Sequence, residues 1–425
     1  MFTDDQGSLD THLYGSEDLA TPHLDALAER GVRFTQFYAA APVCSPSRAG
    51  LLTGRYPVRA GVPSNAEPPP LPGATSERGL PPEETTIAEM LKAAGYATAH
   101  IGKWHLGHAP GMMPNEQGFD QSFGHLGGCI DNYGHTFYWN GPNRHDLWRN
   151  GEEVFHDGQF FPDLMVDEAA QFIEANQENP FFIYFAINTP HYPYQGEARW
   201  LDYYQDLPYP RNLYAAFVST TDERIGRLVG VVDSLGLREN TLIIFQSDHG
   251  HSVEERAHGG GGNAGPYRGA KFSLFEGGLR VPAIVSMPGT LPEGDVRGQL
   301  AHGTDWLPTI AEMTGAPLVN PDVDGESLAD VLRSDAPSPH EVVHWQVGTG
   351  EGAQWAVREG DWKLIGNPRD PTMDEVLTDS LYLANLAQDV SEGVNLAQEH
   401  PDVLERLMGL RKAWVKENGK SGEKE

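Results

Sequence analysis

TLIIFQSDHGH, residues 241–251, is an apolar, β-rich run that breaks off on Asp248 and His249. A short apolar segment bounded by turn residues reads as a strand buried on both faces. The pattern recurs in the chain. ATAHIG (97–102) is followed by KWHLGH, and FFIYFAI (181–187) leads into NTPHYP; VPAIVS (281–286) is a further strand. Helical periodicity fills the intervals at 22–30, 85–94, 163–176, 213–235 and 305–314. The first has Thr21 placed as N-cap, Pro22 at the first helical position and Gly31 beyond the end. Strands alternating with helices predict an α/β fold whose large mixed, mostly parallel sheet is sandwiched by helices.

In such a sheet, ligands bind beyond the carboxyl ends of the strands. Lys103, His105, His191, Asp248 and His249 are therefore expected at one edge. Any one of them alone is more simply a loop residue; three polar clusters at one edge are not. MFTDD, at the start, reads as the end of a fourth such strand with Asp4 and Asp5 at its tip, although a solvated acidic terminus is the plainer reading. With Asp248 and His249 these carboxylates make an oxygen-rich set. It suits Ca²⁺ or Mg²⁺ better than Zn²⁺.

The bulk properties narrow the function. The chain has 425 residues and suggests one large unit plus a smaller one. SDAPSPHE (334–341) reads as a linker. QWAVREGDWKLIG (354–366) reads as an antiparallel pair, and a helix is expected near 401–417 before a frayed tail, KENGKSGEKE. The expected division is 1–335, carrying the catalytic residues, and 336–425, a smaller α+β part. The net charge of −30 repels nucleic acid and anionic membranes, so an anionic substrate requires a local cluster of cations. No apolar run approaches the roughly 20 residues of a membrane span. The opening MFTDDQG does not read as a signal peptide.

Only two cysteines occur, Cys44 and Cys129, too few for a disulfide framework or a four-cysteine zinc site. Cys44 lies in PVCSPSRAGLLTGR (42–55), at a helix start. The three residues between Cys44 and Arg48 are too few for a phosphotyrosine-phosphatase loop. AHGGGG (257–262) is similar to a lipase oxyanion loop, but no G-x-S-x-G elbow accompanies it. A packed structural cysteine is the simplest reading of Cys44 in isolation.

CSPSRAGLLTG (44–54), however, resembles the sulfatase pattern C-x-P-S-R-x-x-x-x-T-G without a gap. The resemblance spans nearly the whole chain. It includes DD at 4–5, TPHLDALAERGVRFTQFY at 21–38, GYATAHIGKWHLG at 95–107, QGFDQSFG at 117–124, TPHYP at 189–193, SDHG at 247–250 and YRGAKFSLFEGGLRVP at 267–282. LYLANLAQDVSEGVNLAQEHP near the carboxyl end continues it. The family implies an alkaline-phosphatase-like fold and hydrolysis of sulfate esters. It also implies that a maturing enzyme oxidises Cys44 to formylglycine. A simple alkoxide attacking sulfur would be left sulfated with no easy exit. A hydrated aldehyde carries two hydroxyls on one carbon, so one attacks and the other expels sulfate.

By the same resemblance, Cys44 (as formylglycine), Asp4, Asp5, Asp248 and His249 hold the metal, expected to be Ca²⁺ with Mg²⁺ as the alternative. Arg48 orients the hydrate. Lys103 and Lys271 grip the sulfate oxygens, His105 is the base that releases sulfate, and His191 protonates the leaving alcohol. Two departures stand out. Only Met1 and Phe2 precede Thr3 and the aspartate pair, about five strand residues short of the usual length; residues upstream would leave a periplasmic or secreted location open. The loop HLGGCIDNYGH offers His125, Cys129, Asp131 and Asn132 without a clear family match, and Cys129 reads as packing. Aromatics at Tyr133, Phe137, Tyr138, Trp139 and Trp148, interleaved with Asn140, Asn143, Arg144 and His145, favour a sulfated carbohydrate as substrate. The competing readings are a phosphonate or phosphate ester hydrolase and a catalytically silent protein that binds sulfated glycans.

Overall fold

The strand expected at 241–246 spans Ile243–Ser247, inside a ten-stranded sheet. In a computed structural model describing residues 1–68, 76–373 and 376–418, this sheet has a parallel centre. Its strands there are Ile243–Ser247, Phe2–Thr3, Phe181–Ala186, Ala97–Lys103 and Gln121–His125, side by side in that order. Ala283–Ser286 runs antiparallel beside Ile243–Ser247 and is followed outward by Val32–Phe34 and Asp295–Arg297. Trp148–Arg149 and Glu152–Glu153 close the other side.

Successive side chains of one strand enter two different cores, as the two-residue period of a strand requires. Tyr184 and Ala186 join the core under the helices Cys44–Thr53, Ile87–Ala93 and Trp306–Thr314. Phe185 points the other way, to the core under Pro22–Glu29, Phe161–Asn176 and Arg211–Ser234. Both faces are covered, which is why these strands read as continuous apolar runs.

Helix ends follow local chemistry, with one correction. Thr86 and Glu89 form a reciprocal capping box at Ile87–Ala93. Thr21 occupies the N-cap of Pro22–Glu29, but its hydroxyl accepts from His12 N instead. The free N–H groups of His23 and Leu24 donate to Asp222, a buried carboxyl pushed up to about 7 by burial. The Cys44–Thr53 helix stops at Gly54, in the left-handed conformation at φ 66°, where a Cβ would press on Leu307 at 3.0 Å.

The carboxyl-terminal part forms a four-stranded antiparallel sheet, Val342–Val347, Gln354–Glu359, Trp362–Gly366 and Leu381–Asn385. The expected pair at 354–366 supplies its two central strands. Pro401–Asn418 packs on it through Val403 and Leu407. Residues 419–425 of the expected frayed tail lie outside the described residues. Lys363 reaches across to Glu276 (2.9 Å) and Glu392 (3.1 Å), all three fully buried.

The first strand, Phe2–Thr3, is two residues long between neighbours of six and five. The Met1 ammonium donates to Ile244 O at 2.7 Å and is pushed down to about 5 by burial. Beside it, toward the amino ends of the flanking strands, is a cavity of about 630 Å³ lined by residues that include Met1, Ile183, Ile244 and Met313. This cavity is on the edge opposite the polar clusters. Among the described residues no helix is long and apolar enough to cross a membrane.

Candidate active site

Four parallel strands deliver the expected residues to one edge. Asp4 and Asp5 follow Thr3, Lys103 closes the 97–103 strand, His191 follows Ala186, and Asp248 and His249 follow Ser247. Every one of them is buried. Asp5 and His105 adopt left-handed backbone at φ 60° and 54°, a conformation non-glycine residues hold only under constraint from their surroundings.

The Cys44–Thr53 helix brings its first residue into this ring. Cys44 Sγ stands 3.3 Å from His249 Nε2 and 3.8 Å from Asp4 Oδ1. One turn on, Arg48 lies on the same helix face. It donates to Lys103 O (3.1 Å) and Asp248 Oδ2 (3.2 Å) and stacks over the Phe2 ring at 5.4 Å. Ser47 Oγ donates to Asp248 O at 2.6 Å, pinning the helix to the strand end. With 2% exposure, Cys44 is not the surface-cleft side chain that a solvent-facing nucleophile would be. The ring of charged groups encloses it.

Three aspartates, with Glu254 beside them, face three cations. Lys103 Nζ donates to Asp4 Oδ2 at 2.6 Å, and Lys271 Nζ lies 3.0 Å from Asp5 Oδ1 and 3.3 Å from Glu254 Oε2. Arg48 bridges Asp248 and Asp4. Burial alone would raise Asp4, but Lys103, His191 and Arg48 hold it well below the usual carboxylate range. Burial drives Asp248 the other way, with the adjacent Asp4 charge adding to the rise.

Asp4, Asp5, Cys44 and His249 can each turn one ligand atom within 4.8 Å of the others. Asp5 Oδ1 makes no hydrogen bond; Lys271 Nζ, 3.0 Å away, donates to Oδ2 instead. Asp248, the fifth expected ligand, falls outside that tight group; its Oδ1 takes Asp5 N at 3.1 Å and lies 3.5 Å from His249 Nε2. Three oxygen donors with one imidazole fit a hard divalent cation. Added to these four carboxylates and three cations, a divalent cation would leave the cluster positive and attractive to an anion, against the chain's net charge.

His191 and His105 flank the ring. His191 Nδ1 faces Tyr192 O at 2.7 Å, leaving Nε2 toward Asp5 at 3.6 Å; burial lowers its pKa while Asp5 opposes the fall. Neither ring nitrogen of His105 makes a hydrogen bond, and Glu67 Oε1 is 3.6 Å from its Nε2. Gly128 lies so near that a Cβ there would come within 2.8 Å of the His105 ring.

Glu67 sits in a proline-rich stretch without periodicity and leaves no signal of its role. Glu254, six residues beyond Asp248, and Tyr184, whose hydroxyl is 3.5 Å from Arg48, were equally unread. An acidic residue so soon after SDHGH was the one available signal. Cys129 is buried, its thiol pushed up to about 12 by burial, consistent with packing. His125 is buried with Nδ1 on Gly127 O, and Asp131 caps the turn at Tyr133–Gly134. Of the loop aromatics Phe137 is fully buried, whereas Tyr133 is exposed.

A family model described as Sulfatase matches residues 1–316. The chain is 36% identical over 352 residues to N-acetylgalactosamine-6-sulfatase of Sus scrofa, covering 78% of this chain and 65% of that protein. It thus spans just under two thirds of that relative's length. With arylsulfatase A of Homo sapiens it shares 34% identity over 455 residues, 97% of this chain and 86% of the relative. The crystal structure of Ps i-CgsB in complex with k-i-k-neocarrahexaose superimposes with a TM-score of 0.86 at 29% identity, over 98% of this chain and 92% of that one.

Proposed function

Because the chain belongs to the sulfatase family, whose members hydrolyse sulfuric esters, we propose that it cleaves sulfate monoesters of carbohydrates, using Cys44 in its formylglycine form. The observation that carries this reading is the position of Cys44. Its Sγ is 3.3 Å from His249 and 3.8 Å from Asp4, at the head of a buried helix and inside a ring of three aspartates and three cations.

Asp4, Asp5, Asp248, His249 and residue 44 would hold Ca²⁺, or Mg²⁺ in its place. When bound, such a cation neutralises sulfate oxygens and lowers the pKa of the attacking hydroxyl. The protein's own groups do the rest. Arg48, fixed by Lys103 O and Asp248, orients the side chain of residue 44. Lys103 and Lys271 take the sulfate oxygens as point charges. One hydroxyl of hydrated residue 44 passes its proton to the Asp248 carboxylate and forms a bond to sulfur as the sulfur–alkoxide bond breaks, and His191 Nε2 gives its proton to the departing alkoxide. That donation needs the imidazolium form of His191, which the Asp5 carboxylate 3.6 Å from Nε2 favours against the lowering by burial. His105, whose ring nitrogens are otherwise free, removes the proton of the second hydroxyl. The carbon–oxygen bond to sulfate then breaks, the aldehyde re-forms, and water rehydrates it. Oxidation of Cys44 requires a formylglycine-generating enzyme as partner.

Two things support a carbohydrate. The relatives include an N-acetylgalactosamine-6-sulfatase and a protein solved with neocarrahexaose. The 125–160 loop also presents Trp139 beneath the Arg256 guanidinium at 4.6 Å, next to Tyr138. Sulfate release from a panel of sulfated mono- and disaccharides, run beside an aryl sulfate and an aryl phosphonate ester, tests the reading. Release from a saccharide supports it, and turnover of the phosphonate alone would overturn it.

A further inference from the structure

The 126–160 loop holds a second group of ligand atoms, outside the ring around Cys44. We propose that His135, His145 and Asp157 form a binding site for a zinc-class divalent cation that clasps this loop. One ligand atom from each can lie within 4.8 Å of the others.

The two imidazoles are set up as ligands by what holds their other nitrogens. His135 Nε2 is 3.1 Å from Gln159 O. A carbonyl only accepts, so Nε2 carries the hydrogen and Nδ1 keeps its lone pair. His145 Nδ1 is 3.0 Å from Glu153 Oε1 and donates to that carboxylate, which leaves the lone pair on Nε2. Both free nitrogens, His135 Nδ1 and His145 Nε2, are buried and have no hydrogen-bond partner. Buried acceptors are normally satisfied. An imidazole whose far nitrogen is tied to a carbonyl or carboxylate is the arrangement found around bound metals.

The framework is rigid where it needs to be. His135 N donates to Asp131 O at 2.9 Å, and its carbonyl accepts from Asp146 N at 2.8 Å. A two-stranded ladder pairs Thr136 with His145, and the His145 ring stacks on Phe155 at 4.3 Å. Asp157 is exposed and the His145 side chain is 14% exposed, so an ion can enter from solvent. Two imidazoles, one carboxylate and an open position for water favour Zn²⁺ or a neighbouring transition metal over Ca²⁺. The oxygen-rich set around Asp4 has the opposite preference.

The clasp is wired to the catalytic edge. Asp146, which holds His135 O, also accepts from Leu126 N (3.1 Å) and Gly127 N (2.8 Å), next to the Gly128 that packs on His105. Filling the site would hold that wall in place.

Co²⁺, whose visible absorption reports tetrahedral nitrogen–oxygen coordination, is titrated into the Ca²⁺-saturated protein, with Zn²⁺ as competitor. The expected result is one Co²⁺ per chain with tetrahedral bands, displaced by Zn²⁺. His145→Gln and Asp157→Asn, at partly exposed positions that fold regardless, weaken binding at least tenfold. Glu153→Gln, which touches only the far nitrogen of His145, weakens it roughly 10–100-fold. No Co²⁺ or Zn²⁺ uptake by the Ca²⁺-saturated protein would overturn the site, and so would unchanged uptake by both His145→Gln and Asp157→Asn.

Discussion

Lys103 Nζ stands 2.6 Å from Asp4 Oδ2, with both side chains fully buried. Each cancels a charge the other could not bear alone. Lys103→Ala strands the Asp4 carboxylate and is expected to cost about 3–5 kcal/mol of stability, the penalty for an uncompensated buried charge. Excess Ca²⁺ should restore part of that loss, because a cation gives Asp4 another partner. Sulfate-ester turnover should fall ~10²–10³-fold in either case, as for loss of one preorganised group that stabilises developing charge. Denaturant melts with and without Ca²⁺, together with kcat/KM, check all three.

Cys44→Ala should abolish turnover and leave the fold intact, since the lost sulfur sits among charged groups and fills no apolar core. Cys44→Ser should do the same in any host whose modifying enzyme accepts only cysteine. Circular dichroism and released sulfate are the readouts. More than a few per cent residual activity in Cys44→Ala would rule out residue 44 as nucleophile.

Chelation should suppress activity, and Ca²⁺ or Mg²⁺ rather than Zn²⁺ should restore it. Asp248→Ala should be inactive whether or not Ca²⁺ is added. It also removes the acceptor of Arg48 Nη2 and of Asp5 N, so its melting temperature should no longer rise with Ca²⁺. Elemental analysis of the active protein and Ca²⁺-dependent melts decide the matter.

His340, from the segment expected to link the two parts of the chain, places Nε2 2.8 Å and 2.9 Å from the two oxygens of Asp305. Burial would lower its pKa, but the Asp305 carboxylate outweighs burial and raises it above 6.5. Protons are then bound more tightly in the folded state. The stabilisation is therefore full below about 6.5 and is lost as pH rises through the higher folded value. His340→Asn should flatten the stability profile across neutral to mildly alkaline pH. Urea midpoints at a series of pH values, wild type against variant, measure it; parallel profiles would contradict the assignment.

Much of this was legible in the residues because buried parallel strands leave unbroken apolar runs whose ends are marked by polar clusters. Asp248, His249, Lys103 and His191 could be placed at one edge from that pattern alone. Asp4 and Asp5 could not, since a two-residue strand carries no periodicity; only their company with Asp248 raised them above a solvated terminus. The antiparallel course of Ala283–Ser286 was equally hidden, because burial on both faces gives the same apolar run in either direction. The strands at Val342–Val347 and Leu381–Asn385 went unread for a different reason. Their alternation is weak, and the sheet they complete is fixed by contacts far apart in sequence, such as Trp345 Nε1 to Ala39 O at 2.9 Å. Glu67 and Glu254 reach the site by tertiary folding of loops, which leaves no local signature.

The central claim is that residue 44 acts as an aldehyde hydrate. Its most direct test measures sulfate-release activity against the fraction of residue 44 found as aldehyde by peptide mass spectrometry, in protein made with graded amounts of a formylglycine-generating enzyme. The predicted result is specific activity proportional to the aldehyde fraction, reaching zero where residue 44 is entirely thiol. Equal activity in preparations with fully thiol and largely aldehyde side chains would contradict the account.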